Sequence, residues 1–257
     1  MANGLMQGDA ALVTGGASGI GRAIAAALAR EGARVALSDI DAEKGAAAAD
    51  AIRDAGGDGH FLQSDLAQRG AADRLFDAAL GALGRISVLV HAASPPRREA
   101  DTILAVDDAT WDAMMDVNLR TAFALGRRAG RHMVETGSKG RMLIVTSLHA
   151  ESPRNLPHYS AAKAGMTMVM KELARALAPK GIRVNALAPG AVAGGGFSVA
   201  ANPTLTACIP MGRIGTPEDI APMAVAVLSE RFGRYVTGTT VVVDGGLALH
   251  NWIEPRG

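Results

Sequence analysis

Short, uninterrupted apolar runs alternate along the chain with longer Ala-rich stretches. The runs fall at 11–13, 35–37, 88–90, 142–145, 184–187 and 241–243. They are apolar at every position, not every second one, which suits strands covered on both faces, as in a parallel sheet. The stretches between them are rich in helix formers. They predict helices near 20–31, 42–55, 68–82, 108–135, 158–178 and 217–229, with Pro179 and Gly181 stopping the fifth. Strands alternating with helices form the βαβ pattern. No Pro- or Ser-rich linker divides the chain. Residues 1–257 therefore read as one α/β domain, a doubly wound parallel sheet in a three-layer α/β/α sandwich. A less regular insertion, a candidate lid, falls at about 191–215. The tail beyond Gly246, which carries Trp252, reads as an ordered end or an interface piece.

Composition narrows the class. With 51 Ala and 31 Gly in 257 residues and only 4% aromatics, the core depends on helices approaching the sheet closely. Lys+Arg 26 against Asp+Glu 25 leave a charge of +1, and no basic run marks a nucleic-acid binder. The lone Cys208 can build neither an intrachain disulfide nor a Cys-rich zinc site. The first ten residues show no basic region feeding an apolar stretch, and no apolar run is long enough to span a membrane. A cytoplasmic protein with no membrane partner is the expectation.

The glycines cluster where chemistry is expected. After the first strand come Gly15, Gly16, Ala17, Ser18, Gly19, Ile20 and Gly21, opening directly into a helix. Glycines at 15, 19 and 21 let the strand turn tightly and bring backbone N–H groups to a pyrophosphate at a helix N-terminus. The spacing is G-x-x-x-G-x-G, which is neither the G-x-G-x-x-G fingerprint nor a P-loop. Nor is it a nucleophile elbow, because position 20 is Ile. Asp39 ends the second strand, 18 residues beyond Gly21. A carboxylate there can accept from ribose hydroxyls and would repel a 2′-phosphate, and position 18 is Ser where a base could have neutralised that phosphate. Both features favour NAD over NADP. Asp39 could instead cap a helix, but Asp41 is better placed to do so.

Tyr159 and Lys163 stand four apart on a predicted helix and share a face. A phenol with a pKa of about 10 must shift by about three units to act as a base near pH 7, and a neighbouring ammonium supplies part of that. Such a Tyr can remove an alcohol proton while hydride leaves. Taken alone, the pair could equally be a surface pair on a helix.

In combination and in order, these segments resemble the short-chain dehydrogenase/reductase family over about residues 8–247. The 14–21 turn, Asp65 after the third strand, Asn118 in Val117-Asn118-Leu119 and Ser147 carry the resemblance. So do Tyr159-Ser160-Ala161-Ala162-Lys163, Arg183-Val184-Asn185-Ala186, Pro189-Gly190 and Val243-Asp244-Gly245-Gly246. The resemblance implies a Rossmann-type domain and an NAD-dependent oxidoreductase. It would transfer hydride between the nicotinamide and a secondary alcohol, ketone or sugar hydroxyl. Tyr159 would be the acid/base, and Lys163 would assist it and hold the nicotinamide ribose. Ser147 would bond the substrate oxygen, and Asn118 would hold a relay water. Asp65 and Leu66 would border the adenine, and His91, Ala92, Ala93, Pro189, Gly190 and Val192 would complete the cofactor site. A homotetramer or homodimer, paired through the helices near 108–135 and 158–178 and the last strand, is implied as well. The stretch His149-Ala150-Glu151, with Pro153 and His158, looks like sugar-oxidising members. A 3-oxoacyl-carrier-protein reductase and a non-catalytic NAD-binding regulator are the alternatives.

Three departures stand out. His91-Ala92-Ala93-Ser94 replaces the usual Asn-Asn-Ala-Gly, and losing two amides is expected to weaken the usual sheet bracing and adenine-side contacts. Ser147 precedes Tyr159 by 12, one fewer than usual, so Thr146 is a possible substitute. Ala191 stands where a Thr is usual after Pro189-Gly190. Outside the motifs, His91, His149 and His158 show no metal-ligand spacing, and no metal is expected. Arg97-Arg98 could attract an anionic substrate or simply be solvated. Met166, Met168 and Met170 suit core or interface. Gly194-Gly195-Gly196 beside Phe197 reads as a lid hinge or a loose loop.

Overall fold

The computed structural model describes residues 4–98, 100–194 and 205–249. The proposed hinge at Gly195-Gly196 beside Phe197, the middle of the 191–215 lid and the Trp252 tail lie outside the described residues.

Seven parallel strands form one sheet in the order β3-β2-β1-β4-β5-β6-β7. They are β1 (Ala10–Thr14), β2 (Arg34–Asp39), β3 (Asp58–Gln63), β4 (Val88–His91), β5 (Arg141–Val145), β6 (Arg183–Pro189) and β7 (Thr240–Val243). Alternate side chains of each strand enter opposite layers, so an apolar run fills two cores at once. On one face Val13, Val35, Val90 and Leu143 pack with α1 (Gly19–Arg30), α2 (Ala42–Asp54) and α7 (Pro217–Leu228). On the other, Leu12, Ala36, Leu89 and Ile144 meet α3 (Ala71–Leu83), α5 (Thr121–Glu135) and α6 (Pro157–Leu177). This is the three-layer sandwich. Met166 and Met170 are fully buried in the second core, while Met168, two residues from each, is exposed. Among the described residues, no helix is long and apolar enough to cross a membrane.

Two elements depart from the pattern-based expectation. β3 had no apolar run to announce it: Asp58-Gly59-His60-Phe61-Leu62-Gln63 is an edge strand paired only with β2, so it carries polar residues that an inner strand would not. The helix expected over 108–135 is three pieces: α4 (Asp108–Met114), a π-helical turn (Met115–Arg120) and α5. The Thr121 hydroxyl donates to Asp116 O at 3.0 Å, across the widened turn. Single-turn π insertions of this kind recur at functional sites, and this one carries Asn118. A last short helix, α8 (Glu230–Gly233), follows α7.

Candidate active site

β1 and β4 are neighbours, and the helices that follow β1 and β4 pack on opposite faces. The chain therefore parts at their C-terminal ends and opens a crevice, the usual ligand site of an open α/β sheet. A cavity of about 300 Å³ lies there, lined by the glycine turn, Asp39, Ala92, Ser94, the end of β5, the start of α6 and Pro189, Gly190 and Val192.

The turn is glycine for steric reasons. Gly15 and Gly19 have φ of +71° and +52°. A Cβ on Gly15 would meet the Ala93 backbone at 2.8 Å, and one on Gly21 would meet the Gly15 carbonyl oxygen at 2.1 Å. Ser18 is the extended N-cap of α1 and makes no side-chain cap bond. The first-turn N–H groups, which lack intrahelical partners, thus border the cavity beside Ser18, Gly19, Ile20 and Gly21. A cradle too tight for any Cβ, at a helix N-terminus, fits a dinucleotide pyrophosphate. At the cavity's edge Asp39 accepts from the N–H groups of Ala17 (3.1 Å), Ile40 (2.8 Å) and Asp41 (3.2 Å). Asp41 caps α2, accepting from Lys44 N–H at 3.0 Å, which leaves Asp39 to the site.

Tyr159 and Lys163 lie one turn apart on α6, both buried and both lining the cavity. Lys163 Nζ donates to Val145 O at 2.9 Å and sits 5.4 Å from the Tyr159 ring centroid. Burial, and then the Arg97 charge, bring the Lys163 ammonium down to about 7. Ser147 Oγ lines the same cavity and accepts from His149 N–H at 3.3 Å. The Thr146 hydroxyl donates to Leu187 O at 3.0 Å, so its place is in the sheet. Thr146 and Ser147 both line the cavity, and of the two it is the Ser147 hydroxyl that makes no bond to the sheet.

Several implied residues sit behind the wall. Asp65 accepts from Ala67 N–H and from the Gln68 amide, each at 3.0 Å, and Leu66 is core. Neither lines the cavity, and nor do His91, Ala93 or Asn118. Asn118 is fully buried. Its Nδ2 donates to Ser94 Oγ and to Met114 O, each at 3.2 Å, while Oδ1 has no partner among the described residues.

The loss of two amides at 91–94 turns out differently from the expectation of weakened bracing. His91 is buried, and its Nε2–H donates to Asn118 O at 3.1 Å; Nδ1 accepts from the Thr14 hydroxyl at 2.8 Å. Thr14 Oγ1 in turn accepts from the N–H groups of Ala92 and Ala93. This chain of donors needs a neutral ring, and burial followed by the Lys163 charge depresses its pKa to about 4. One imidazole thus braces β1, β4 and the π-helical turn.

Sequence reasoning left Arg97 open and did not find Arg154. The Arg97 guanidinium lies over the Tyr159 ring, 4.6 Å from its centroid, while Arg98 is exposed. Arg154 lines the cavity from the loop before α6. A lone Arg among Ser, Pro and Asn gives no signal of its own; only the path of the loop brings it in. The His149 ring meets Tyr159 edge-on, with centroids 5.0 Å apart. His158 is buried outside the lining, its Nε2 3.9 Å from Asp101. The described ends of the 191–215 segment are tied together, Ala193 N–H to Gly215 O and Gly215 N–H to Ala191 O, each at 2.9 Å. Among the described residues, no three of His, Cys, Asp and Glu are grouped to hold a metal ion.

Known proteins are similar to this chain in sequence and in fold. Residues 15–248 match the family model described as enoyl-(acyl carrier protein) reductase. A 3β-hydroxysteroid dehydrogenase 1 of Eggerthella lenta is 36% identical over 254 residues, covering 95% of each chain. A 3-ketoacyl-(acyl-carrier-protein) reductase of Brucella melitensis, solved with NADH, superposes with a TM-score of 0.86 at 32% identity, covering 95% of this chain and 99% of that one. A structure from Beutenbergia cavernae holding NADP at low occupancy gives 0.87 at 36% identity, covering 95% and 98%. With the glycine turn, the Tyr159/Lys163 pair and a family match over nearly the whole length, the chain belongs to the short-chain dehydrogenase/reductase family.

Proposed function

We propose that this nicotinamide-dependent oxidoreductase, which acts on CH–OH groups, uses NAD in preference to NADP and oxidises or forms a secondary alcohol. The observation that carries the reading is one cavity lined by Tyr159, Lys163, Ser147, the glycine turn and Asp39. The bound dinucleotide supplies the hydride acceptor or donor. Gly19, Ile20 and Gly21 would hold its pyrophosphate, Asp39 its adenosine ribose and Lys163 its nicotinamide ribose. Tyr159 takes the hydroxyl proton, and Lys163 and Arg97 place positive charge beside the ring where phenolate charge develops. Ser147 donates to the substrate oxygen, so two hydroxyl groups share the charge that builds there. Asn118 Oδ1, buried and without a described partner, supports a water-holding role behind Ser94.

Asp39 supports NAD, because a 2′-phosphate would stand against a carboxylate already fixed by three N–H groups. Titration with both cofactors tests this: NAD should bind at least about tenfold more tightly, a difference of about 1.4 kcal/mol, and equal affinities overturn it. A second reading, reduction of a ketone carried on an acyl thioester, is favoured by the likeness to the Brucella reductase. That enzyme was solved with NADH, so an NAD preference does not separate the two. Turnover confined to acyl thioesters would select the second reading, and turnover of free sugars or secondary alcohols the first. Pairing of copies through α5, α6 and β7 would cover Phe123, Met168 and Val242, which are exposed in the single chain.

A further inference from the structure

The cavity has two electrostatically unlike ends. At the glycine turn the charged lining residue is Asp39. Around Tyr159 the charged lining residues are Arg97, Arg154 and Lys163, and no described carboxylate lines that end. Lys163 belongs to the proton-transfer pair and Arg97 adds charge beside it, while Arg154 has no part in that pair. Arg97 is half-buried and parked over the acid/base ring, 4.6 Å from its centroid. Arg154 is half-buried too, and its Nε is fully enclosed with no hydrogen-bond partner among the described residues. Neither arginine forms an ion pair with a described carboxylate, whereas Arg213, near the end of the 191–215 segment, pairs with Asp219. Beside Arg154, Asn155 takes φ +58°, in the left-handed region that Asn adopts more readily than most non-glycine residues.

Gathering guanidinium groups without counter-charge at the floor of a cavity costs free energy. That cost is offset when an anion bridges them through charge-assisted, often bidentate hydrogen bonds. The field of this cluster also shows in His149, which burial, Arg97, Arg154 and Lys163 together hold at about 4, so that the ring stays neutral. We infer that the substrate is a hydroxy acid or its keto acid, with a carboxylate a few bonds from the reacting carbon that Arg97 and Arg154 receive beside Tyr159. This rests on the oxidoreductase reading above and adds the substrate class to it. In oxidation the substrate C–H electron pair leaves as hydride to the oxidised cofactor, and the hydroxyl proton passes to Tyr159. The carboxylate is unchanged and serves only as the handle.

The test compares kcat/KM for a series of hydroxy acids with that for their methyl esters and the matching phosphate monoesters. Wild type, Arg97→Ala, Arg154→Gln and Arg154→Lys are assayed. The acids should exceed the esters by about tenfold or more, the value of one charge-assisted hydrogen bond. Arg154→Gln should collapse that ratio, and Arg154→Lys should restore part of it. A wild-type ratio of one, a ratio unmoved by every substitution, or phosphate monoesters outpacing the acids would each overturn the assignment. Calorimetric titration of the NADH-loaded enzyme with benzoate gives a readout that needs no turnover: binding should weaken at least about tenfold in Arg154→Gln, and no binding in wild type overturns the proposal. Turnover of neutral alcohols with no acid preference strikes the substrate class alone. No turnover of any compound, with benzoate still bound through Arg154, strikes the oxidoreductase reading and leaves the anion site standing.

Discussion

The two ends of the cavity are made in different ways. The cofactor end is made of backbone: glycines pressed against Ala93 and against their own turn, first-turn N–H groups of α1, and a carboxylate at a strand end. The other end is made of long side chains on loops, with Arg97, before α4, over Tyr159 and Arg154, before α6, lining the same cavity. The first is fixed by sterics and tolerates no added atom. The second is fixed by charge and by the path of two loops, and can be retuned residue by residue. Substitutions at the two ends should therefore differ in kind.

The largest effect on cofactor binding is expected at the backbone end. Gly21→Ala drives a Cβ onto the Gly15 carbonyl oxygen, 2.1 Å away. Such overpacking costs about 1–3 kcal/mol, and NADH binding, followed by fluorescence, should weaken by tenfold or more. Unchanged binding would mean that the turn does not hold the pyrophosphate. Asp39→Ser should then cut the preference for NAD over NADP by about tenfold, read as the ratio of the two dissociation constants. A ratio that does not move would show that the discrimination lies elsewhere.

A smaller effect separates structure from site. His91→Leu keeps the bulk but leaves Thr14 Oγ1 and Asn118 O without the ring, and thermal or urea unfolding should register a loss of about 1–3 kcal/mol. The pH dependence follows from its depressed pKa. Between about 4 and the ordinary value of 6.5 the unfolded chain binds a proton that the native ring refuses. His91 therefore withdraws stability as pH falls through that window, by about 1.4 kcal/mol for each pH unit, and has no such effect above it. His149, also held near 4, contributes in the same direction. The difference in slope between wild type and His91→Leu isolates the His91 share, and identical slopes would contradict the neutral-ring assignment. Smallest of all, Asp41→Ala should lower the unfolding temperature slightly by loosening the α2 cap, without changing the cofactor preference, which belongs to Asp39.

The same contrast explains what could be read beforehand. Inner strands and the glycine turn announce themselves because burial on both faces and close approach restrict the allowed residue types. β3 did not, because Asp58, His60 and Gln63 interrupt its apolar pattern at an uncovered edge; β7, the other edge, kept its apolar run. The π-helical turn within 108–135 has no Pro or Gly to mark it; it is set by Thr121 and by the His91 bond to Asn118 O, contacts that exist only once the sheet is assembled. Losing the amides at 91–92 looked like lost bracing because a histidine's two nitrogens, spaced to reach Thr14 and Asn118 together, cannot be foreseen without the distances. The sequence left Thr146 open beside Ser147; the Thr146 bond to Leu187 O, made across the β5–β6 pairing, is seen only in the assembled sheet. Arg154 was not legible at all.

Turnover is expected to depend most on Tyr159 acting as the proton-transfer group, in a site that binds the cofactor largely without it. Steady-state turnover and NADH affinity measured side by side on Tyr159→Phe test this. The prediction is a fall in kcat of about 10²–10⁴-fold, the usual contribution of a positioned acid/base, with NADH affinity essentially retained. Turnover that survives the substitution, or that falls only in step with cofactor binding, would contradict it.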